Sequence, residues 1–372
     1  MIYLDNAATS LIKPNEVKLS VINSMNNLTA NPGRSGHDLS LKTGQMVFET
    51  REAVKNFFHA KNYDVIFTKN CTEALNLAIF GSLVEGDHVI TTCYEHNSVL
   101  RPLYKLKEKG IEVSILDFDM CDLVKDIEKE IKPNTKLIIT TAVSNVTGDV
   151  ANIKAIGEIA KRHKILYLVD GAQSSGHIDI NLDECNVDMY AYAGHKGLLS
   201  ITGVGGLIVK DIKKLKPLIY GGTGTNSESL FQPSDTVEGF ESGTIPTIPI
   251  ASLNAGIKFL TKNFSKIQKY EANLSKYLYY LLKKLNFLKI YSNELSNNVF
   301  SFNVLDLPST LVADILNEDY KICVRAGLHC APLIHKKLNT LETGAVRASI
   351  DFFNTKEDID KLIQALIKIS NL

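Results

Sequence analysis

Ile165-Leu-Tyr-Leu-Val-Asp170-Gly-Ala-Gln173 and, further along, Met189-Tyr-Ala-Tyr-Ala-Gly-His-Lys196 each set a short apolar, β-favouring run directly before polar residues able to do chemistry. The pattern recurs on both sides of them. Asp64-Val-Ile-Phe-Thr68, His88-Val-Ile-Thr-Thr92, Glu112-Val-Ser-Ile-Leu116, Lys136-Leu-Ile-Ile-Thr140 and Gly206-Leu-Ile-Val209 read the same way, with helical stretches or loops between most of them. Continuous apolar strands joined by crossovers predict an α/β fold whose mostly parallel, seven-stranded sheet is covered on both faces. Such sheets bind ligands outside the carboxyl ends of their strands.

The residues at those ends are Lys69-Asn-Cys-Thr-Glu73, Tyr94-Glu-His-Asn97, Ser144-Asn145, Asp170-Gly-Ala-Gln173 and Gly194-His-Lys196. Lys196 follows a buried run, where desolvation favours the neutral amine that forms a Schiff base. Asp170 ends another, placed to keep a pyridinium nitrogen protonated. Asn70, Cys71 and Thr72 open a helix whose free N–H groups can seat a phosphate, and His96 can lie flat on an aromatic cofactor. Each has an ordinary alternative: a surface lysine, a helix-capping aspartate, plain capping by Asn or Thr, a structural histidine. Five such sites on one rim of one predicted sheet make independent alternatives hard to sustain.

The remaining chain sets bounds. Its 372 residues predict a large domain and a smaller one. Lys plus Arg equals Asp plus Glu at 41 each, so no basic footprint for nucleic acid is present. Met1-Ile-Tyr-Leu-Asp-Asn6 carries no basic segment before an apolar one, and no run approaches the ~20 apolar residues of a membrane helix. With six scattered cysteines, this reads as a soluble cytoplasmic protein with reduced thiols and no membrane partner. Residues 217–249, rich in Gly, Ser, Thr and Pro, are expected to form an ordered loop over the site. Near the end, Ile359, Leu362, Ile363, Leu366 and Ile367 mark one helix face, with Thr355 as its N-cap.

From Tyr3-Leu-Asp-Asn-Ala-Ala-Thr9 to Arg347-Ala-Ser349 and the following helix, the chain resembles the class V aminotransferase superfamily of fold type I pyridoxal-phosphate enzymes, and within it the cysteine desulfurase and selenocysteine lyase branch. The resemblance implies a segment 1–14 contributing to the active site, a pyridoxal-phosphate domain over 15–255 and a small α+β domain over 256–372. It implies that Lys196 carries pyridoxal 5′-phosphate, with His195, Cys71 and Thr72 at its phosphate, Asp170 at the ring nitrogen, Gln173 near the phenolic oxygen and His96 stacked on the ring. Thr244 of Glu241-Ser-Gly-Thr244 matches a residue that reaches the phosphate from a partner subunit, so a homodimer is implied. Val324-Arg-Ala-Gly-Leu-His-Cys-Ala331 resembles the branch's signature and makes Cys330 the sulfur acceptor, its thiolate favoured by His329 or a neighbouring arginine. Arg347 matches the clamp on the substrate carboxylate, and Ala8, Arg34, His37, Asn145 and Arg325 fall in motifs near the substrate.

The implied reaction converts L-cysteine to L-alanine and leaves a persulfide for a protein acceptor. L-selenocysteine as substrate, a transaminase or lyase with an idle Cys330, and a non-catalytic sulfur-relay scaffold are the alternatives. His329, Cys330, Cys323 and His335 lack the paired Cys-x-x-Cys spacing of zinc ligands, so no metal is expected. Three positions depart from the family pattern. Ala193 replaces a serine whose bond to a charged phosphate would contribute about 1.5–3 kcal/mol, Cys71 replaces a threonine, and Leu198-Leu-Ser-Ile-Thr202 lacks the usual Gly-Pro.

Overall fold

The computed structural model describes every residue except Gly33, Arg34, Phe118, Cys121, Asp122 and Leu372. The chain runs through β1 (Ile2–Tyr3), α1 (Asn15–Asn27), α2 (Asp38–Phe57), β2 (Asp64–Thr68), α3 (Cys71–Ser82), β3 (His88–Thr92), α4 (Asn97–Lys107), β4 (Glu112–Leu116), α5 (Leu123–Lys129), β5 (Thr135–Thr141), α6 (Ile153–His163), β6 (Leu166–Asp170), β7 (Met189–Ala193) and β8 (Gly205–Val209). It continues with α7 (Thr247–Lys283), β9 (Leu288–Ile290), β10 (Val299–Val304), α8 (Ser309–Glu318), β11 (Ile322–Cys323), β12 (Arg325–Gly327), α9 (Pro332–Lys337), β13 (Ala345–Ser349) and α10 (Lys356–Ile369).

Seven strands form the main sheet in the order β2-β8-β7-β6-β5-β3-β4, with β8 antiparallel to both neighbours and the other pairs parallel. The pleat sends alternate residues to opposite faces. Ile138, Tyr167, Val169 and Tyr190 enter one core, and Leu137, Leu166, Leu168 and Met189 enter the other. Covered on both sides, these strands need no polar face, which is why their runs read as continuous apolar sequence. Each such side chain contributes about 1.5–3 kcal/mol by leaving water.

A four-stranded antiparallel sheet, β12-β13-β10-β9, carries the smaller core with α8 and α10. Thr355 caps α10 through a reciprocal box with Asp358 (3.2 and 2.9 Å). Ile359, Leu362, Ile363 and Leu366 are buried as expected, whereas Ile367, at the edge of that stripe, is 42% exposed. At 100° per residue, Ile369 falls back on the buried side instead.

Two connections tie the layers together. β1 pairs in parallel with β11, after which the chain crosses to the main sheet's rim, where Ala7 O accepts from Gln173 Nε2 (3.0 Å). Helix α7 continues unbroken through residue 255. Among the described residues, no helix is long and apolar enough to cross a membrane.

Candidate active site

The strand ends converge on a cleft of about 510 Å³ lined by Asn70, Cys71, Thr72, His96, Ser98, Thr141, Asn145, Asp170, Gln173, Ala193, His195 and Lys196. β2 feeds α3 through Asn70, whose side chain accepts from Glu73 N–H (2.9 Å). The first turn of α3 rests directly on β8, where a Cβ at Gly205 would stand 2.8 Å from Cys71 N. Only glycine permits that approach. The N–H groups of the turn and the positive end of the helix therefore face the cleft as an anion seat.

Lys196 is half-buried in the cleft wall. Desolvation pushes its pKa down, Asp170 and Cys71 pull it up, and Arg347 and Arg325 press it down again. The net fall makes the unprotonated amine accessible. Asp170 is 3% exposed at the end of β6. Its Oδ1 accepts from Ala172 N–H (2.9 Å) and from the Cys71 thiol (3.6 Å), which leaves Oδ2 for a ligand. The Cys71 side chain thus turns inward to a carboxylate instead of outward to a phosphate. Burial, then Asp170, raise its thiol pKa well above the ordinary value.

His96 caps α4: its Nδ1 accepts from Ser98 N–H (3.1 Å), which in the neutral ring places the proton on Nε2. Desolvation lowers its pKa to about 4. The Ser98 hydroxyl lies 2.9 Å from that Nδ1 and 2.8 Å from Thr72 Oγ1. Ser98 is a cleft residue that the sequence reading missed, although the His-x-Ser spacing of a helix cap was there to be read. The His195 ring is likewise neutral at ordinary pH, lowered to about 4 by burial and then by Lys196 and Lys13. Its Nδ1 lies 3.1 Å from Thr9 Oγ1. Ala193 lines the same cleft as Thr72 and Ser98 but brings no hydroxyl to it.

Arg347 of β13 is 1% exposed, binding Asp5 Oδ1 through one nitrogen (2.8 Å) and Asn145 O through another (3.0 Å). Its Nε has no partner, so donor capacity remains for a carboxylate. Asp5 is a second residue that sequence reading missed. Asn145 Nδ2 donates to His329 O (2.7 Å) and Asn97 N–H to Cys330 O (2.7 Å), fastening the small-domain loop to the main-sheet rim. Cys330 is exposed there, with Arg325 Nη2 at 3.9 Å from its sulfur. His329 is no counter-charge: burial, then Arg347, hold its pKa at about 2, so the cation beside the thiol is Arg325.

Ala8 is half-buried in the crossing segment. His37 caps α2, accepting from Ser40 N–H (3.2 Å), and is not a cleft residue. Arg34 lies outside the described residues. Thr244 is exposed and does not line the cleft of its own chain. The 217–249 loop packs beside α2 instead of over the cleft, because Glu241 binds Arg51 at 2.8 Å and accepts from Phe67 N–H at 2.6 Å. Among the described residues no cluster of His, Cys, Asp and Glu can hold a metal ion.

The model of the aminotransferase class-V family matches residues 2–362. A probable cysteine desulfurase of Methanothermobacter thermautotrophicus is 34% identical over 100% of this chain and 95% of its own. One from Halalkalibacterium halodurans is 35% identical over 99% and 93%. The apo structure of a cysteine desulfurase from Thermococcus onnurineus NA1 superposes with a TM-score of 0.93 at 32% identity, covering 100% of this chain and 94% of that one.

Proposed function

Because the chain belongs to the class-V aminotransferase family, we propose that it is a cysteine desulfurase that uses pyridoxal 5′-phosphate and takes sulfur from L-cysteine onto Cys330. The observation that carries this reading is the exposed Cys330 thiol fastened through Asn97 and Asn145 to the rim of the cleft that holds Lys196 and Asp170. An idle cysteine would need no such tether.

The cleft fits the cofactor on its own chemistry. Lys196 offers a desolvated amine, Asp170 a free carboxylate oxygen, α3 an anion seat and His96 a neutral ring. Bound there, pyridoxal 5′-phosphate supplies the electron sink for reaction at the substrate's α-carbon. Arg347 binds the substrate carboxylate, Nζ of Lys196 takes and returns the α-proton, and Asp170 holds the ring nitrogen's proton. Cys330, as thiolate beside Arg325, attacks the substrate sulfur: the C–S bond breaks with its electron pair left toward the β-carbon, an S–S bond forms, the β-carbon takes up a proton equivalent to the one the Cys330 thiol gave up, and L-alanine leaves with the persulfide on the enzyme. That sulfur then passes to an acceptor protein.

Excess thiol reductant should release sulfide and alanine from L-cysteine in equal amounts with the wild-type chain. Cys330→Ser should lose at least about a hundredfold in sulfide, the order of effect of removing a catalytic nucleophile. A yellow wild-type protein that makes no sulfide would overturn the reading in favour of a transaminase or lyase.

A second copy of the chain completes the site in this proposal. Tyr220, Leu230 and Phe231 are 70%, 101% and 87% exposed on the loop that bears Thr244, and Phe48 of α2, itself exposed, lines a groove with Thr223 and Thr225 of that loop. An apolar surface of this kind is what a dimer covers. Light scattering should give twice the chain mass of 41.1 kDa, and a monomer that binds the cofactor with full affinity would sink the role given to Thr244.

A further inference from the structure

His329 and Cys330 are consecutive non-glycine residues in the left-handed region, at φ 51° and 56°. Such a pair persists only where its surroundings over-determine it. Backbone tethers supply part of that: Asn145 and Asn97 hold the two carbonyls, and Ala331 N–H donates to Leu328 O (2.9 Å). The rest lies beneath the loop. His329 is 3% exposed, and its ring stacks on that of His335 at 5.5 Å and 26°. Its Nδ1 lies 3.3 Å from His335 Nε2. His335, fully buried in α9, places its own Nδ1 2.8 Å from Thr340 Oγ1.

Burial keeps both rings neutral, with pKa values of about 2 and about 4. Each neutral ring has one N–H and one bare nitrogen, so the line Thr340–His335–His329 is a chain of single hydrogen bonds with one shared direction. Neither the reaction nor the cleft uses His335. We propose that His335 is a positioning residue for the sulfur acceptor, holding Cys330 in its left-handed conformation through the buried contact with His329. The role assigned to Cys330 comes from the proposed desulfurase activity; the loop geometry does not depend on it.

The test uses the full-length holoenzyme in three variants. His335→Phe keeps a ring without hydrogen bonds, His335→Gln puts an amide where Nε2 stood, and Thr340→Val removes the hydroxyl at nearly constant volume. Hydrogen exchange at the Asn97 and Ala331 amides, which report the loop directly, should quicken about tenfold in His335→Phe, about threefold in Thr340→Val, and return near wild type in His335→Gln. With L-cysteine, kcat should fall about tenfold in His335→Phe while KM holds, with recovery in His335→Gln. Should His335→Phe fail to fold, Thr340→Val carries the same comparison. Unchanged exchange in the folded variants, or no recovery in His335→Gln, would overturn the inference. A wild type that makes no sulfide yet shows the exchange pattern would overturn the desulfurase reading and leave the positioning role standing.

Discussion

Lys196→Ala should lose alanine and sulfide formation from L-cysteine by at least about a thousandfold, the upper part of the range for removing a general acid–base. Lys196 combines a lowered pKa with placement at the end of β7, opposite the Asp170 carboxylate. An amine that stays unprotonated can both hold an aldehyde cofactor and accept a proton, whereas Lys196→Arg keeps a cation that can do neither. Lys196→Arg should therefore lose as much as Lys196→Ala. After borohydride treatment, mass spectrometry should find the cofactor fixed to the wild-type chain and to neither variant. Substantial turnover in Lys196→Arg, or an adduct on another lysine, would remove Lys196 from its assigned role.

What could be read from the sequence was whatever repeats or sits at a strand end. The apolar runs at residues 166–170 and 189–193 announced buried parallel strands because both faces are covered, and the polar residues after them fell on one rim by topology alone. Contacts between distant segments left no such trace. Nothing periodic links Asp5 to Arg347, 342 positions apart, or the His329 ring to His335 and Thr340. Cys71 shows the intermediate case. Its spacing placed it correctly in the first turn of α3, but spacing cannot say which way a side chain leaves that turn, and it leaves toward Asp170. The 217–249 loop reads as ordered, but the sequence does not show that it lies away from the cleft of its own chain, since its anchor is the Arg51–Glu241 ion pair between residues 190 positions apart.

Glu95 follows β3 and reads in sequence as a loop residue; in the fold it is wholly buried. Its Oε1 accepts from Thr92 Oγ1 (2.7 Å) and Thr141 N–H (2.9 Å), while Oε2 has no partner. Desolvation is the largest influence and raises its pKa to about 8; the two donors oppose it. The unfolded value is about 4.3, so the folded state binds the proton more tightly. The associated stability is fully present below about pH 4.3 and is lost as pH rises through about 8. At pH 7 the carboxyl costs about 3–4 kcal/mol relative to a group that does not titrate, from 1.36 kcal/mol per pH unit. Glu95→Gln keeps the acceptor oxygen and sets an uncharged N–H₂ where the protonated acid holds its O–H. Relative to the gap between the two proteins at pH 4, its stability should therefore gain on wild type by about 1 kcal/mol at pH 5 and about 3–4 kcal/mol at pH 7 in urea unfolding. A gap between the two proteins that stays constant across that range would mean that Glu95 does not titrate there. Situated between β3 and the ring of His96, a carboxyl this costly fits the rule that local conflicts in a stable fold gather at its working site.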